Sequence, residues 1–259
     1  MSIRDFIKNK LPLSVRRRIR CALTSLQTQA FSNDLNRLAL LFGTDKWGGH
    51  WYTQHYQRYF EPLRKSKINL LEIGVGGYGN DCGGNSLRMW KQFFRNGRIV
   101  GIDIEDKTQF REKRIDIRQC DQTDSQALRL LSAEYGGFDI IVDDGSHIND
   151  QVVKTFKILF PLLRPNGIYA IEDVQTSYWP SWGGGISSPQ SCMTYFKSIA
   201  DGLNYSEYPS HNYKPNYFDT NVIGIVFFHN LILVRKGDNS EVTNAPALIE
   251  HELRVIQTG

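Results

Sequence analysis

One stretch of the sequence constrains the fold more than any other. It reads LLEIGVGGYGN, from Leu70 to Asn80, and passes from an apolar run interrupted by Glu72 to a segment rich in glycine. The apolar run predicts a buried strand, and the glycines let the following backbone approach a ligand closely. A strand, then the spacing G-x-G-x-x-G at Gly74, Gly76 and Gly79, then a helix predict a pocket for a nucleotide-like ligand. The glycine pattern alone leaves that ligand's identity open.

Strands and helices alternate through the middle of the chain. The predicted strands cover residues 70–75, 98–104, 115–118, 138–142 and 168–171, and the predicted helices cover residues 86–94, 125–135 and 150–163. Pro165, Asn166 and Gly167 are expected to end the last of these helices. Because each strand ends in polar or acidic residues, the pattern predicts an α/β fold with a doubly wound parallel sheet that binds ligands at its carboxyl edge.

Two apolar runs near the end of the chain predict an antiparallel hairpin. They are Val222–Phe228 and Leu231–Arg235, separated by the polar pair His229 and Asn230. Five parallel strands finished by such a hairpin are typical of the commonest class of methyltransferases that use S-adenosylmethionine (SAM), and not of dinucleotide dehydrogenases. We therefore predict a Rossmann-like SAM methyltransferase domain at residues 43–236, a helical extension at residues 1–42 and a C-terminal tail at residues 237–259.

The composition is that of an ordinary globular protein, with 41% apolar and 22% charged residues. Part of the net charge of +4 comes from arginines at positions 16, 17, 18 and 20, so charge gives no case for a nucleic-acid partner. The cysteines lack C-x-x-C spacing, which favours reduced thiols over a zinc site. Without a signal peptide or an apolar run of roughly 20 residues, we expect a cytoplasmic protein with no transmembrane segment. We also expect a homo-oligomer, with the basic N-terminal segment packed on protein or touching a membrane surface peripherally.

Acidic residues follow the fourth and fifth predicted strands. Asp143 and Asp144 come after one strand, and Glu172 and Asp173 come after the next. Four carboxylates in one pocket repel one another unless a cation joins them, and oxygen ligands suit Mg²⁺ or another hard divalent ion. The alternative is that one acid of each pair, Asp143 first, caps the following helix. His147 lies three residues after Asp144 and is a candidate general base.

Two aromatic and polar segments flank this core. Before the first strand, Thr44, Asp45, Lys46 and His50 form a polar cluster that is well placed to fold over a ligand. The aromatic residues from Trp47 to Phe60 are by default the packed face of a helix predicted at residues 52–63. Residues 176–190 show no periodicity and predict a mobile lid. Tyr178, Trp179 and Trp182 in this lid can stack on a sugar ring or pack against one another.

Several motifs carry a family resemblance. LLEIGVGGY, SLRMW, GIDI, FDIIVDDGSHIND and IEDVQTSYWP resemble motifs of the metal-dependent sugar O-methyltransferases of macrolide biosynthesis, the mycinamicin and demethylmacrocin enzymes. The likeness extends from about Gly43 to Trp182. It implies that SAM supplies a methyl group, that Mg²⁺ holds two neighbouring sugar hydroxyls, and that a histidine deprotonates the hydroxyl to be methylated.

The resemblance also implies roles for individual residues. Metal ligands are expected at Asp144, Glu172 and Asp173, with Asp144 also counted as catalytic beside the base His147. The resemblance implies that Glu72, Gly74, Asp103 and Asp121 bind SAM. We also expect Gly76, Tyr78, Ser86 and Asp143 to contact the cofactor. Residues expected to contact the sugar are Tyr178, Trp179 and Trp182.

The sequence thus predicts a SAM- and Mg²⁺-dependent O-methyltransferase that acts on a sugar hydroxyl of a glycosylated natural product or a surface glycan. One alternative is an NAD(P)-dependent sugar oxidoreductase or epimerase, which would leave the acidic pairs unexplained. The other is a non-catalytic binding protein with the same fold. That protein would be expected to have lost residues needed for SAM or metal, and none of them is missing here.

Overall fold

A mixed sheet of seven strands forms the centre of the computed structural model, which describes residues 30–77 and 83–258. The strands are β1 (Asn69–Ile73), β2 (Arg98–Asp103), β3 (Ile115–Gln119), β4 (Phe138–Asp143), β5 (Leu163–Glu172), β6 (Val222–Phe228) and β7 (Leu231–Lys236). Their order in the sheet is β3-β2-β1-β4-β5-β7-β6. Strands β1 to β5 are parallel, and β7 runs antiparallel to both β5 and β6. The predicted parallel sheet with a terminal hairpin is therefore confirmed.

Helices cover both faces of the sheet. They are α1 (Leu35–Phe42), α2 (Thr53–Phe60), α3 (Asn85–Phe93), α4 (Ser125–Tyr135), α5 (Asn149–Leu159), α6 (Cys192–Gly202), α7 (Tyr217–Asn221) and α8 (Pro246–Thr258). Within the described residues, no helix is both long enough and apolar enough to cross a membrane. The basic N-terminal segment lies outside the described residues.

Alternate residues of each central strand enter different apolar cores. Leu71 and Ile73 of β1 face a core that contains Phe156 of α5, whereas Leu70 faces a core built around Phe60 and Trp90. Because both faces of the parallel strands are covered, their sequences read as nearly continuous apolar runs. The acids Asp103, Asp143 and Glu172 end β2, β4 and β5 at the carboxyl edge of the sheet.

The predicted end of α5 is wrong. The helix ends at Leu159, and a short 3-10 helix, Phe160–Leu162, follows it. Pro161 explains the change, since proline has no N–H with which to continue an α-helix. Strand β5 then begins at Leu163, earlier than predicted, and it contains Asn166 in a left-handed conformation with φ of 62°. The Pro165–Gly167 turn signal therefore lies within the strand rather than at a helix end.

Lys236 at the end of β7 stabilises the connection between α5 and β5. Its buried Nζ donates hydrogen bonds to the carbonyl oxygens of Phe160, Pro161 and Leu163, at 3.2, 2.8 and 2.7 Å. Replacing Lys236 by Met keeps the aliphatic stem but leaves buried carbonyls without a donor. We expect the free energy of unfolding to fall by about 2–3 kcal/mol, measured by urea denaturation. The exposed neighbour Arg235→Met is the control, and an equal loss in that variant would contradict this role.

Candidate active site

A cavity of about 400 Å³ lies at the carboxyl edge of the sheet. Four segments line it: the loop after α1, the glycine-rich loop after β1 with the start of α3, the loop after β4, and the end of β5. Its lining residues are Gly43–Lys46, Gly74–Gly77, Gly83–Ser86, Asp144, Gly145, His147 and Asp173. The cavity is thus at the edge where the sequence predicted a ligand.

Asp144, His147 and Asp173 form a compact group at one side of this cavity. One ligand atom from each residue lies within 4.8 Å of the others. His147 Nε2 is 3.8 Å from Asp144 Oδ1 and 3.9 Å from Asp173 Oδ2. His147 and Asp173 both have left-handed backbones, with φ of 55° and 53°, which is a strained conformation concentrated at functional sites. Two carboxylates and an imidazole are a donor set that fits a divalent cation.

Lys46 connects three acids beneath the cavity. Its Nζ is 2.7 Å from Asp144 Oδ2, 2.7 Å from Glu172 Oε2 and 3.2 Å from Glu72 Oε1. Burial alone would lower the pKa of Lys46, but the three carboxylates outweigh burial and raise the pKa, so the side chain stays an ammonium. The sequence placed Lys46 in a polar loop cluster. The fold shows that its side chain points inward to the strand ends.

Two tyrosines of the aromatic segment also reach the acids. Tyr56 Oη donates to Glu172 Oε1 at 2.7 Å, and Tyr52 Oη donates to Asp173 Oδ1 at 2.6 Å. Burial, together with these carboxylates, raises the pKa of both phenols, so they remain donors. Packing was the default interpretation of these residues, and their rings are buried. Their hydroxyl groups were the part that sequence reasoning missed.

Glu172 therefore differs from the other proposed metal ligands. Both of its oxygens already have partners, Lys46 on one side and Tyr56 on the other. It is buried behind Asp144 rather than exposed on the cavity wall. The structure brings Asp144, Asp173 and His147 together, with Glu172 joined to Asp144 through the shared Lys46.

Glu72 lies behind the cavity wall. Its Oε2 accepts hydrogen bonds from Ser86 Oγ at 2.9 Å and from Trp90 Nε1 at 3.1 Å. Its Oε1 makes no hydrogen bond within the described residues, although Lys46 Nζ lies 3.2 Å away. Burial raises the pKa of Glu72 to about 7. Glu72 thus supports Ser86 and Lys46, which themselves line the cavity.

The glycine-rich loop meets two requirements that a side chain would violate. At Gly74, a Cβ atom would lie 2.0 Å from the carbonyl oxygen of Asp144, so β1 and β4 approach too closely for any other residue. Gly76 has a φ of 69° and open space where a Cβ would point. Asp103 Oδ2 accepts from the Val75 amide at 2.9 Å and ties the loop to β2. This open, glycine-lined cradle fits an extended small-molecule cofactor.

Two other residues expected to bind the cofactor, Asp121 and Asp143, are not among those that line the cavity. Asp121 is exposed after β3, where its Oδ1 accepts from the Thr123 amide and hydroxyl at 2.7 and 2.9 Å. Tyr78 lies outside the described residues.

Asp143 is buried at the end of β4. It accepts from Tyr169 Oη at 3.2 Å and from Gln122 Nε2 at 3.5 Å. Burial raises the pKa of Asp143 to about 7. The alternative that Asp143 caps the next helix is wrong, because Ile148 is the N-cap of α5 and no side chain caps it. Gln122 also accepts from the Ser146 amide at 2.7 Å, which fixes the loop that carries Asp144 and His147.

The predicted lid contains local structure. Val174–Tyr178 and Pro180–Trp182 form 3-10 helices. Asn149 Nδ2 donates to the carbonyls of Thr176 and Trp182 at 3.0 and 2.9 Å and so ties this segment to α5. Tyr178 and Trp179 are each 46% exposed, and the Trp182 ring lies 6.4 Å from the ring of His147. Trp182 therefore lies beside the group of Asp144, His147 and Asp173, and the Trp179 ring lies 6.5 Å from that of Trp182.

Sequence comparison confirms the resemblance that the motifs indicated. The chain is 47% identical over 214 residues to the demethylmacrocin O-methyltransferase of Streptomyces fradiae, covering 80% of this chain and 54% of that protein. It is 46% identical over 215 residues to the mycinamicin VI 2''-O-methyltransferase of Micromonospora griseorubida, covering 80% and 54%. The chain spans about half the length of the curated relatives that it matches. No protein-family model matches the sequence.

Structural comparison gives the same result. The MycE methyltransferase from the mycinamycin biosynthetic pathway, in complex with Mg and SAH, has a TM-score of 0.78 and 44% identity, covering 85% of this chain and 60% of that one. A second complex of MycE, with Mg, SAH and mycinamycin VI, has a TM-score of 0.77 and 43% identity, with 87% and 59% covered. The chain therefore has the class I SAM-dependent methyltransferase fold that its sequence predicts.

Proposed function

We propose that this chain, a homologue of sugar O-methyltransferases, is itself a SAM-dependent O-methyltransferase that requires Mg²⁺ or another hard divalent cation. Its acceptor is proposed to be a sugar hydroxyl of a glycosylated natural product or a surface glycan. The observation that carries the proposal is the position of Asp144, His147 and Asp173 directly beside a glycine-lined cavity. That arrangement supports a divalent-cation site and a general base next to a cofactor pocket.

The cofactor is proposed to lie along the glycine-rich loop. Gly74 and Gly76 allow close approach of the backbone, and Ser86 lines the cavity at the start of α3. Asp103 orients the loop by accepting a hydrogen bond from the Val75 amide. Glu72 does not line the cavity and is proposed to act indirectly, by holding the side chains of Ser86 and Lys46. Three further residues complete the proposed set: Tyr78, Asp121 and Asp143.

The metal ligands are proposed to be Asp144, Asp173 and Glu172. Asp144 and Asp173 line the cavity, and Glu172 would exchange its contact with Lys46 for the cation. When bound, SAM supplies an electrophilic methyl group, and a divalent cation lowers the pKa of the acceptor hydroxyl. Tyr52 and Lys46 hold Asp173 and Asp144 in place by hydrogen bonds of 2.6 and 2.7 Å. Tyr52 therefore preorganises Asp173 for the cation, whereas the Lys46 ammonium neutralises Asp144 while no cation is bound.

His147 is proposed to be the general base. Its Nε2 faces Asp144 and Asp173 and is well placed to accept the proton of a hydroxyl held between those acids. Asp144 stabilises the imidazolium that results, which is its proposed catalytic role. Tyr178, Trp179 and Trp182 are proposed to contact the sugar ring. In support, the Trp182 ring lies 6.4 Å from the ring of His147 and 6.5 Å from the ring of Trp179, and Tyr178 and Trp179 are exposed.

Calorimetric titration tests the choice of cofactor. We expect S-adenosylhomocysteine (SAH) to bind the wild-type protein and NAD to show no binding under the same conditions. Binding of NAD in place of SAH would instead support the oxidoreductase or epimerase alternative. Failure to bind either SAH or Mg²⁺ would support the non-catalytic alternative. The cytoplasmic location, the homo-oligomeric state, the peripheral membrane contact and the domain boundaries stay predictions from the sequence.

A further inference from the structure

We propose that Lys46 couples the cofactor pocket to the metal site, so that SAM (or SAH) and the divalent cation each strengthen the binding of the other. This inference rests on the proposed function. It gives Lys46 the role of a positioning residue, because its contacts are to protein carboxylates rather than to reacting atoms.

The position of Lys46 is the first step of the argument. Its side chain is 1% exposed, and the residue lines the cavity. Its Nζ contacts one acid from the end of each of three neighbouring strands: Glu72 of β1, Asp144 directly after β4, and Glu172 of β5. Glu72 belongs to the cofactor side and the other two belong to the metal side. One ammonium is therefore shared between the two sites.

The balance of charge is the second step. Three carboxylates surround one ammonium, and a buried carboxylate is costly without full compensation. Glu72 Oε2 accepts from Ser86 and Trp90, but its buried Oε1 has only the 3.2 Å ionic contact with Lys46 and no hydrogen bond in the described part of the chain. Asp144 and Glu172 take the two closer contacts, both of 2.7 Å.

Coupling follows from this competition. A cation that neutralises Asp144 and Glu172 weakens the attraction of these two carboxylates for the Lys46 ammonium. The ammonium then interacts more strongly with Glu72 and with the carboxylate of a ligand in the cavity. A carboxylate-bearing ligand in the cavity draws the ammonium in the same direction and frees Asp144 and Glu172 for the cation. Because both ligands favour the same redistribution of charge, each should raise the affinity of the other by the same factor.

The test is isothermal titration of SAH with and without saturating Mg²⁺ in three proteins: wild type, Lys46→Met and Tyr56→Phe. We expect Mg²⁺ to tighten SAH binding about fivefold or more in the wild type. Tyr56→Phe is the matched control, since it removes a buried 2.7 Å hydrogen bond to the opposite oxygen of Glu172 and leaves the ammonium intact. It should keep the coupling. Lys46→Met should bind both ligands singly and lose the coupling.

The outcomes separate this inference from the proposed function. If the wild type binds neither SAH nor Mg²⁺, the proposed function fails. If the wild type binds both without coupling, or if Lys46→Met retains the coupling, only the role of Lys46 is overturned. Should thermal unfolding show that Lys46→Met is not folded, Glu72→Gln provides the same test, because it removes the cofactor-side charge that shares the ammonium. Retained coupling in Glu72→Gln would equally overturn the inference.

Discussion

Chelation with EDTA should abolish methyl transfer, and added Mg²⁺ should restore it. Asp144, Asp173 and His147 line the cavity, and one ligand atom of each lies within 4.8 Å of the others. Without a cation, these carboxylates repel an acceptor oxygen that carries developing negative charge. When a cation is bound, the two carboxylates hold the cation in place, and the cation lowers the pKa of the acceptor hydroxyl. The measurement is the initial rate of methyl transfer in chelator, before and after Mg²⁺ is added.

Asp144→Asn supplies the matched variant for this experiment. It keeps the shape of the side chain but removes a charge from the cation site, and we expect it to lose activity that Mg²⁺ cannot restore at concentrations that saturate the wild type. SAH binding measured without Mg²⁺ shows whether the cofactor pocket of the variant is intact. Full activity of the wild type in EDTA would exclude a role for the metal.

Replacing His147 by Ala should reduce kcat by roughly 100-fold or more, which is the usual contribution of a general base. A sugar hydroxyl is a poor nucleophile at neutral pH, and His147 Nε2 is held close to both Asp144 and Asp173. The left-handed backbone at His147, with φ of 55°, aims the side chain into this group. Since cofactor binding does not require the imidazole, the affinity for SAH measured by calorimetry should remain unchanged.

His229→Ala is the control for this variant, because His229 is an exposed histidine on the β6–β7 turn. It should retain wild-type kcat. A small effect of His147→Ala would assign the base elsewhere. His50 is then the next candidate, since its Nε2 lies 3.6 Å from Asp173 Oδ1. The double variant of both histidines would distinguish that case from one in which no histidine serves as the base.

The sequence could predict features that depend on local pattern and on the topology of parallel sheets. Asp144 and Asp173 follow strands that the hydrophobic pattern identifies, and the carboxyl ends of neighbouring parallel strands necessarily share one edge. Their proximity therefore follows from the order of the strands. Gly74 was predictable as a position of close backbone approach, although the sequence did not show that the neighbour is the carbonyl of Asp144.

Contacts made across long sequence separations were not predictable in this way. Lys46 and Glu172 are 126 positions apart, and Tyr56 and Glu172 are 116 apart. Nothing in the local pattern of a lysine between glycines indicates that its side chain is buried among acids. The aromatic character of Tyr52 and Tyr56 correctly predicted that their rings are packed in the interior. The destination of their hydroxyl groups depends on how α2 lies against the ends of β4 and β5.

The start of β5 illustrates a conflict between local signals. Pro165, Asn166 and Gly167 have the composition of a helix stop, but Pro161 had already ended the helix. Strand β5 pairs with β4 at Leu163 and again from Ile168, and with β7 from Ile168, with a shift of the β4 register in between, so Pro165–Gly167 form an irregular stretch of the strand in which Asn166 is left-handed. The turn residues thus mark a break in the register of β5 rather than the end of a helix.

The central claim is tested most directly by transfer of a labelled methyl group from SAM to a panel of glycosides in the presence of Mg²⁺. The product should carry the label on a sugar oxygen, as located by mass spectrometry and NMR, and the His147→Ala variant should form roughly 100-fold less of it. Oxidation or epimerisation of a sugar with NAD, or no transfer to any glycoside by a protein that binds SAH and Mg²⁺, would contradict the proposal of a sugar O-methyltransferase.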